Sequence, residues 1–274
     1  MAVATTPVRE ALAAATGGLG AAGVDSPRLD AELLLSQATG WDRARLAADP
    51  DASLDPAAAR EFASLVRRRL RREPLAYITG RRGFRNLEIA VDRRVLIPRP
   101  ETELLVELAV ERDPASVLEV GTGSGAVALA IADELPGAEV IATDVSAGAL
   151  DVARDNAARL GLAQRVSFHD AADAPARYHD LVVANLPYVR EDEWAALEPE
   201  INEYEPPDAL VSGADGLDAI RELLGSPPDC DAIGLEVGAG QAGEVVGLVA
   251  AAGFGRVETR SDLAGIERVV LGRR

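Results

Sequence analysis

Two short stretches carry residues whose types and spacing could do chemistry: Glu119-Val-Gly121-Thr122-Gly123-Ser124-Gly125 and, further along, Asn185-Leu186-Pro187-Tyr188. In the first, glycines at alternate positions allow a sharp turn. They also bring backbone N–H groups against a ligand where side chains would collide. In the second, Pro187 stiffens the loop and leaves two acceptors, the Asn185 side-chain oxygen and the Leu186 carbonyl, beside the Tyr188 ring. Two fixed acceptors can grip both hydrogens of one planar NH2 group while the ring stacks on its plane. An amide nitrogen is a poor nucleophile because its lone pair is delocalised. Hydrogen bonds that tighten as positive charge develops, together with in-line placement, are what such a nitrogen needs.

The partner of that nitrogen is read from the first stretch. Ser116–Val120 is a β-branched run, the glycine turn follows, A-V-A-L-A-I-A is helical, and E-V-I-A-T-D is a second strand ending on Asp144. This is one βαβ unit, with an acid where the dinucleotide fold keeps the carboxylate that holds ribose hydroxyls. The spacing departs from G-x-G-x-x-G, because the third glycine comes one residue early. Glu119, two residues before the first glycine, would repel a pyrophosphate but suits a ligand carrying an ammonium, as S-adenosylmethionine does. A glycine-rich turn alone is common in βα units. The Asn185–Tyr188 loop weighs toward a cofactor.

The elements that must position these residues follow from the rest of the chain. Residues 7 to 72 read as helices with short breaks, Asp25-Ser26-Pro27 and Asp55-Pro56 opening two of them. From Pro74 the composition turns β-like, with turn residues at Gly80 to Gly83 and alternation in Leu87, Ile89 and Val91, which predicts an antiparallel hairpin. Pro100-Glu101-Thr102-Glu103 opens the next helix with proline and acids in its first turn. Strands are expected at R-V-S-F-H to Asp170, at Asp180-Leu-Val-Val-Ala and at Ala232 to Val237, with helices over 146–160, 216–224 and 242–251. R-V-E-T-R and E-R-V-V-L, joined by a short turn, must be antiparallel. The reading is an α/β chain with three parts: a small N-terminal helical bundle over 1–73, a β-hairpin linker over 74–100, and a seven-stranded Rossmann-like domain over 101–274. In an open sheet of this kind, ligands gather at the carboxyl ends of the strands at the switch point, which sets Asn185–Tyr188 across from the glycine turn.

Composition narrows the function classes. With 274 residues, 48% hydrophobic and 27% charged, the chain has the make-up of a globular protein with ample core. One cysteine, Cys230, and two histidines, His169 and His179, exclude a disulfide framework and predict no metal site. A net charge of −17 argues against direct nucleic-acid binding. The charge is uneven: Arg67 to Arg94 holds ten arginines, and Glu191 to Glu205 holds seven acids and no base. No apolar run approaches a membrane span and the N-terminus lacks a cationic-then-apolar order, so the expectation is a cytoplasmic protein.

Taken together, Pro74-Leu-Ala-Tyr-Ile-Thr-Gly80, Val95-Leu-Ile-Pro-Arg-Pro-Glu-Thr-Glu103, the glycine turn, Asp144, Asn185–Tyr188, Leu235-Glu236-Val-Gly238 with Gln241, and Asp262 resemble the release-factor glutamine methyltransferase family over essentially the whole chain. The resemblance implies a class I methyltransferase fold with sheet order 3-2-1-4-5-7-6 and S-adenosyl-L-methionine as cofactor. It also implies transfer of a methyl to the glutamine amide of the Gly-Gly-Gln motif in class I peptide chain release factors, whose loop would enter between the domains. Catalytic positions would be Asn185, Leu186, Pro187 and Tyr188. Cofactor contacts would be Glu119, Gly121, Thr122, Gly123, Ser124, Gly125, Asp144, Asp170, Ala171 and Asn185. Two positions depart from the family pattern: Leu186 stands where proline is usual, and Ala171 where a bulky residue often helps to hold the adenine. The first leaves the backbone carbonyl in place, and the second predicts weaker cofactor affinity unless a neighbour fills the gap. The acidic run after Tyr188 is placed to meet a basic partner, and the chain is expected to act as a monomer. Competing readings are a glutamine methyltransferase acting on a ribosomal protein, an adenine-amino methyltransferase acting on ribosomal RNA, and a catalytically silent nucleoside-binding module.

Overall fold

The computed structural model describes residues 6–274. Its contacts divide the chain into two compact units: the residues up to Gly80 together with Glu198–Tyr204, and Arg81–Leu197 together with Glu205–Arg274.

The first unit is helical: α1 (Val8–Ala21), α2 (Pro27–Thr39), α3 (Arg43–Ala48), α4 (Pro56–Leu70) and α5 (Leu75–Thr79). Pro27 and Pro56 occupy first-turn positions where the missing N–H costs nothing, and the Asp55 carboxylate accepts from the Ala57 and Ala58 N–H groups. Leu12, Leu19, Leu34, Leu35, Leu46 and Phe62 meet in its core. The extended reading from Pro74 fails for α5. Leu-Ala-Tyr-Ile-Thr is β-like in composition, but Pro74 starts a helical turn and Gly80, at φ +74°, ends it in the left-handed conformation, so the local caps override propensity. Arg69 is buried and bonds both Asp30 (2.7 Å) and Glu200 (2.7 Å), while Arg72 reaches the same Glu200 carboxylate at 2.6 Å. Tyr204 adds a hydrogen bond from its hydroxyl to the Arg71 carbonyl (2.7 Å). Glu198–Tyr204 therefore belongs to this unit by ion pairing.

The second unit opens with an antiparallel hairpin of β1 (Arg81–Phe84) and β2 (Leu87–Ala90), in which Arg81 pairs with Ala90 and Phe84 with Leu87. Its turn is Arg85-Asn86, not Gly80 to Gly83. Gly80 is spent on the helix cap, and Arg85 takes φ +51° because its N–H donates to Glu103 (3.0 Å) and its guanidinium forks onto Glu134 at 2.8 Å twice. After a 3-10 turn at Pro100–Thr102 comes α6 (Glu103–Arg112), then β3 (Ser116–Val120), α7 (Ala126–Glu134), β4 (Glu139–Asp144), α8 (Ala147–Arg159), β5 (Val166–Asp170) and β6 (His179–Ala184). The short helix α9 (Pro199–Asn202) lies in the segment already assigned to the helical unit. Then follow α10 (Asp218–Gly225), β7 (Cys230–Glu236), α11 (Ala242–Ala251), β8 (Arg256–Ser261) and β9 (Glu267–Arg273).

The seven strands are ordered β5-β4-β3-β6-β7-β9-β8, the expected 3-2-1-4-5-7-6. β3 to β7 are parallel, and β9 runs antiparallel to both β7 and β8. The central strands read as apolar runs because helices cover both faces of a parallel sheet, and Leu181, Val182 and Val183 are wholly buried. The strand order reverses at β3 and β6, so the loops that follow them part there and open a crevice at their carboxyl ends.

Candidate active site

The three glycines after β3 all adopt positive φ, yet each answers a different constraint. A Cβ on Gly121 would sit 3.2 Å from Leu186 Cδ2 and 3.6 Å from the Asn185 carbonyl oxygen, so this glycine lets the loops after β3 and β6 lie against each other. A Cβ on Gly123 would meet nothing within 4 Å, because that residue faces a cavity. Gly125 meets Ala153 Cβ at 3.1 Å instead. Its role is the close approach of α7 to α8, and it does not line the cavity wall as the cofactor reading expected.

Glu119 is buried, and its carboxylate accepts from the Thr122 hydroxyl (2.6 Å) and from the Ala128 N–H at the start of α7 (3.0 Å). It ties the turn to the helix N-terminus, where negative charge is favoured. Burial raises its pKa to about 7, with those two hydrogen bonds opposing the shift and the Asp144 charge adding to it. Asp144, at the end of β4, accepts from Gly123 N–H through Oδ2 (2.8 Å) and from Ser146 N–H through Oδ1 (2.9 Å). One carboxylate thus holds the glycine turn and the start of α8 in register.

Between these loops lies a cavity of about 500 Å³. The turn Glu119–Ser124, Asp144–Ser146, Ala171 and Asn185–Pro187 contribute to its wall, together with Arg94–Leu96, Pro98, Arg99 and Thr102. Val145, an apolar residue next to the strand-end acid Asp144, lines it and is 84% exposed. Among the described residues no group of His, Cys, Asp and Glu could hold a metal ion.

Asn185 lines the cavity, and its Nδ2 donates to Thr102 Oγ1 (3.1 Å), which leaves Oδ1 as the acceptor end of the amide. Leu186 is half-buried and packs against the core cluster formed by Leu118, Val182 and Leu235. Tyr188 does not line the cavity. Its hydroxyl donates to Glu236 (3.4 Å), its carbonyl accepts from Gln241 Nε2 (2.9 Å), and burial pushes its phenol pKa up. Asp170 is also outside the wall, capping the 3-10 turn Ala171–Asp173 by accepting from Ala172 N–H (3.0 Å). Its neighbour Ala171 does line the cavity.

Several site residues had no role assigned from the sequence. The Arg94–Thr102 segment stood out only as a motif, and here it forms one side of the cavity. Asn156 is fully buried on α8: Oδ1 accepts from Ala90 N–H (2.8 Å), and Nδ2 donates to the Ala90 (2.9 Å) and Ser124 (3.0 Å) carbonyls. An asparagine on the apolar face of an alanine-rich helix was the signal available for it. The acidic run is smaller as a surface than its composition suggests. Glu200 is spent on Arg69 and Arg72, Glu205 is buried on Arg99 and the Ile97 N–H, and Asp192 pairs with Arg190.

Residues 10–80 match the family described as PrmC N-terminal domain, and residues 117–204 match the Methyltransferase domain family. A release factor glutamine methyltransferase of Cereibacter sphaeroides is 44% identical over 96% of this chain and 97% of its own length. One of Geobacter sulfurreducens is 41% identical over 97% and 96%. The chain belongs to the release factor glutamine methyltransferase family. Among solved structures, the hMettl16 catalytic domain in complex with MAT2A 3'UTR hairpin 6 shares the fold, with a TM-score of 0.54 at 14% identity over 68% of this chain and 74% of that one.

Membership of the release factor glutamine methyltransferase family makes the chain an S-adenosylmethionine-dependent methyltransferase, and the cavity suits that cofactor. Gly123 offers backbone with no side chain in the way, Asp144 stands at the strand end, and Val145 gives an apolar plane that water alone would leave exposed. No helix of the described residues is long and apolar enough to cross a membrane.

Proposed function

We propose that this chain methylates the side-chain amide nitrogen of the glutamine in the Gly-Gly-Gln motif of class I peptide chain release factors, acting as a cytoplasmic monomer. The observation that carries the reading is the orientation of Asn185, whose nitrogen is taken up by Thr102 while its oxygen is left to accept. The names of the relatives support the substrate, and a planar, doubly donating amide on a flexible loop can reach a recessed strand end that a folded surface cannot.

When bound, S-adenosylmethionine supplies an electrophilic methyl on its sulfonium. Asp144 would accept from the ribose hydroxyls, Gly121 to Ser124 would line the cofactor with backbone, and Glu119 would face its ammonium end. Val145 and Ala171 would flank the base. Asn185 Oδ1 and the Leu186 carbonyl would accept from the two N–H groups of the glutamine amide, interactions that strengthen as positive charge develops on nitrogen. Residues 1–73 would serve as a partner-docking domain and 74–100 as the connection to the catalytic part.

The test is to incubate the protein and S-adenosylmethionine separately with a release factor, a ribosomal-protein extract and ribosomal RNA, then map the added methyl by fragmentation mass spectrometry. One methyl on the glutamine of Gly-Gly-Gln is expected, lost when that glutamine is changed to asparagine. A methyl found only on RNA adenine or only on a ribosomal protein would refute the substrate and leave the methyltransferase standing.

A further inference from the structure

Glu236 ends β7 and is 2% exposed, and among the described residues it makes no ion pair within salt-bridge distance. Its Oε2 is buried without a hydrogen-bond partner. Two hydroxyls lie beside this carboxyl: that of Tyr188, which donates at 3.4 Å, and that of Thr102, which is itself 4% exposed and favours the ionised form. The charged groups facing it are Arg268 on β9 and Glu101 in the turn before α6. A buried carboxyl with one oxygen unsatisfied costs stability. Folding alone therefore does not account for its place beside the Asn185–Tyr188 loop.

The polarity of the chain of contacts does. A carboxylate only accepts, and a threonine hydroxyl has a single proton. If that proton goes to Glu236, Thr102 can offer Asn185 only a lone pair, and only the NH2 end of the asparagine amide can answer it. The observed bond runs that way, from Asn185 Nδ2 to Thr102 Oγ1 at 3.1 Å. Were the amide flipped, its N–H groups would meet the N–H groups of the substrate amide, donor against donor.

We propose that Glu236 and Thr102 are positioning residues: the ionised Glu236 carboxylate, acting through the Thr102 hydroxyl, sets the Asn185 amide with its oxygen toward the substrate nitrogen. The same carboxylate holds the Tyr188 hydroxyl and so anchors the far end of the loop. The proposal rests on the reading of Asn185 as the residue that grips the substrate amide, and it adds the residues that orient it.

The experiment compares wild type with Asn185→Ala, Thr102→Val, Thr102→Ser and Glu236→Gln, measuring kcat and KM with a release factor and cofactor affinity by calorimetry. Thr102→Val keeps the side-chain shape but removes the hydroxyl, and should lower kcat about 10- to 100-fold while cofactor affinity stays within about twofold. Thr102→Ser, which keeps the hydroxyl, should restore kcat to within about threefold of wild type. Wild-type kcat should fall with decreasing pH through the range near 7, to which burial raises Glu236. Glu236→Gln should lower kcat and lose that acid limb, because glutamine cannot titrate and can donate as well as accept. Thr102→Val and Glu236→Gln with undiminished kcat beside an inactive Asn185→Ala would overturn the proposal and leave the Asn185 reading intact. Thr102→Ser as impaired as Thr102→Val would also overturn it. Normal turnover by Asn185→Ala would overturn that reading and this proposal together.

Discussion

Asp144 joins a structural role to a proposed ribose contact on one carboxylate, and graded substitution weighs the two. Both oxygens already accept from backbone N–H groups of the loops they join, so removing the side chain would take away the proposed ribose acceptor and loosen the Gly123 turn at once. Asp144→Ala should weaken S-adenosylmethionine binding by about 1.5–3 kcal/mol, the worth of charged hydrogen bonds. Asp144→Asn, which keeps one accepting oxygen, should lose less; calorimetry on folded protein decides, and unchanged affinity in the alanine variant would remove the ribose assignment. Leu186 makes the complementary case. Its backbone carbonyl is the part expected to act, while its side chain packs on the sheet core and against Gly121. Leu186→Pro should therefore leave turnover within a few-fold but cost about 1–2 kcal/mol of stability from lost packing, read as a lowered denaturation midpoint. A large gain in turnover on introducing proline would mean the loop is adapted to another substrate. At this scale the placement of Asp144 and Asn185 on the cavity wall was legible, because each stands at the end of a strand inside a local motif. Tyr188 and Asp170 were not, since which way a side chain turns out of a loop depends on partners such as Glu236 and Ala172 that lie elsewhere in the fold.

The elements were legible where pattern and cap agreed, as in the parallel core strands. They were misread where a cap opposed propensity. Leu75–Thr79 carries β-favouring residues, yet Pro74 before it and Gly80 after it close a helical turn, and the hairpin turn moves on to Arg85-Asn86 under the pull of Glu103 and Glu134. The contact of α8 with its neighbours was hidden for a different reason: it depends on one amide. Asn156 pairs with Ala90 as a strand neighbour would and also holds the Ser124 carbonyl, so the hairpin, the glycine turn and α8 share one side chain. Asn156→Ala would strand three buried backbone groups, and should destabilise the protein by about 2–4 kcal/mol. Gly125→Ala tests the adjoining contact. At φ +82° and 3.1 Å from Ala153, an added methyl meets both backbone strain and crowding, for a cost of about 1–3 kcal/mol with little change in cofactor affinity. A loss of cofactor binding in a fully folded Gly125→Ala protein would show that this glycine contacts the ligand after all.

Across the whole molecule, two buried carboxyls, Glu119 on the cavity wall and Glu236 behind the loop after β6, have pKa values raised to about 7, in both cases chiefly by burial. In the unfolded chain each titrates near the ordinary value for glutamate, so between that value and about 7 the folded state binds more protons than the unfolded state. Their contribution to stability therefore declines as pH rises through this window and levels off above it, by up to about 3 kcal/mol per group for a shift of this size. Carboxylates held low by arginines, such as Asp215 beside Arg221 and Asp92 beside Arg94, act at lower pH and do not cancel the effect. A protein that keeps such groups buried gives up stability where they are charged, and for Glu119, on the cavity wall, a cationic ligand would reverse the balance. If Glu119 faces the ammonium end of S-adenosylmethionine, binding should drive it to the ionised form. Calorimetry at pH 6.5 in buffers of differing ionisation enthalpy should then register net proton release on binding, with the Glu119→Gln variant releasing less. Binding that moves no protons at that pH, or the same release in both proteins, would place the ammonium away from Glu119. It would also return that carboxyl to the role its bonds to Thr122 and Ala128 already show, fastening the glycine turn to its helix.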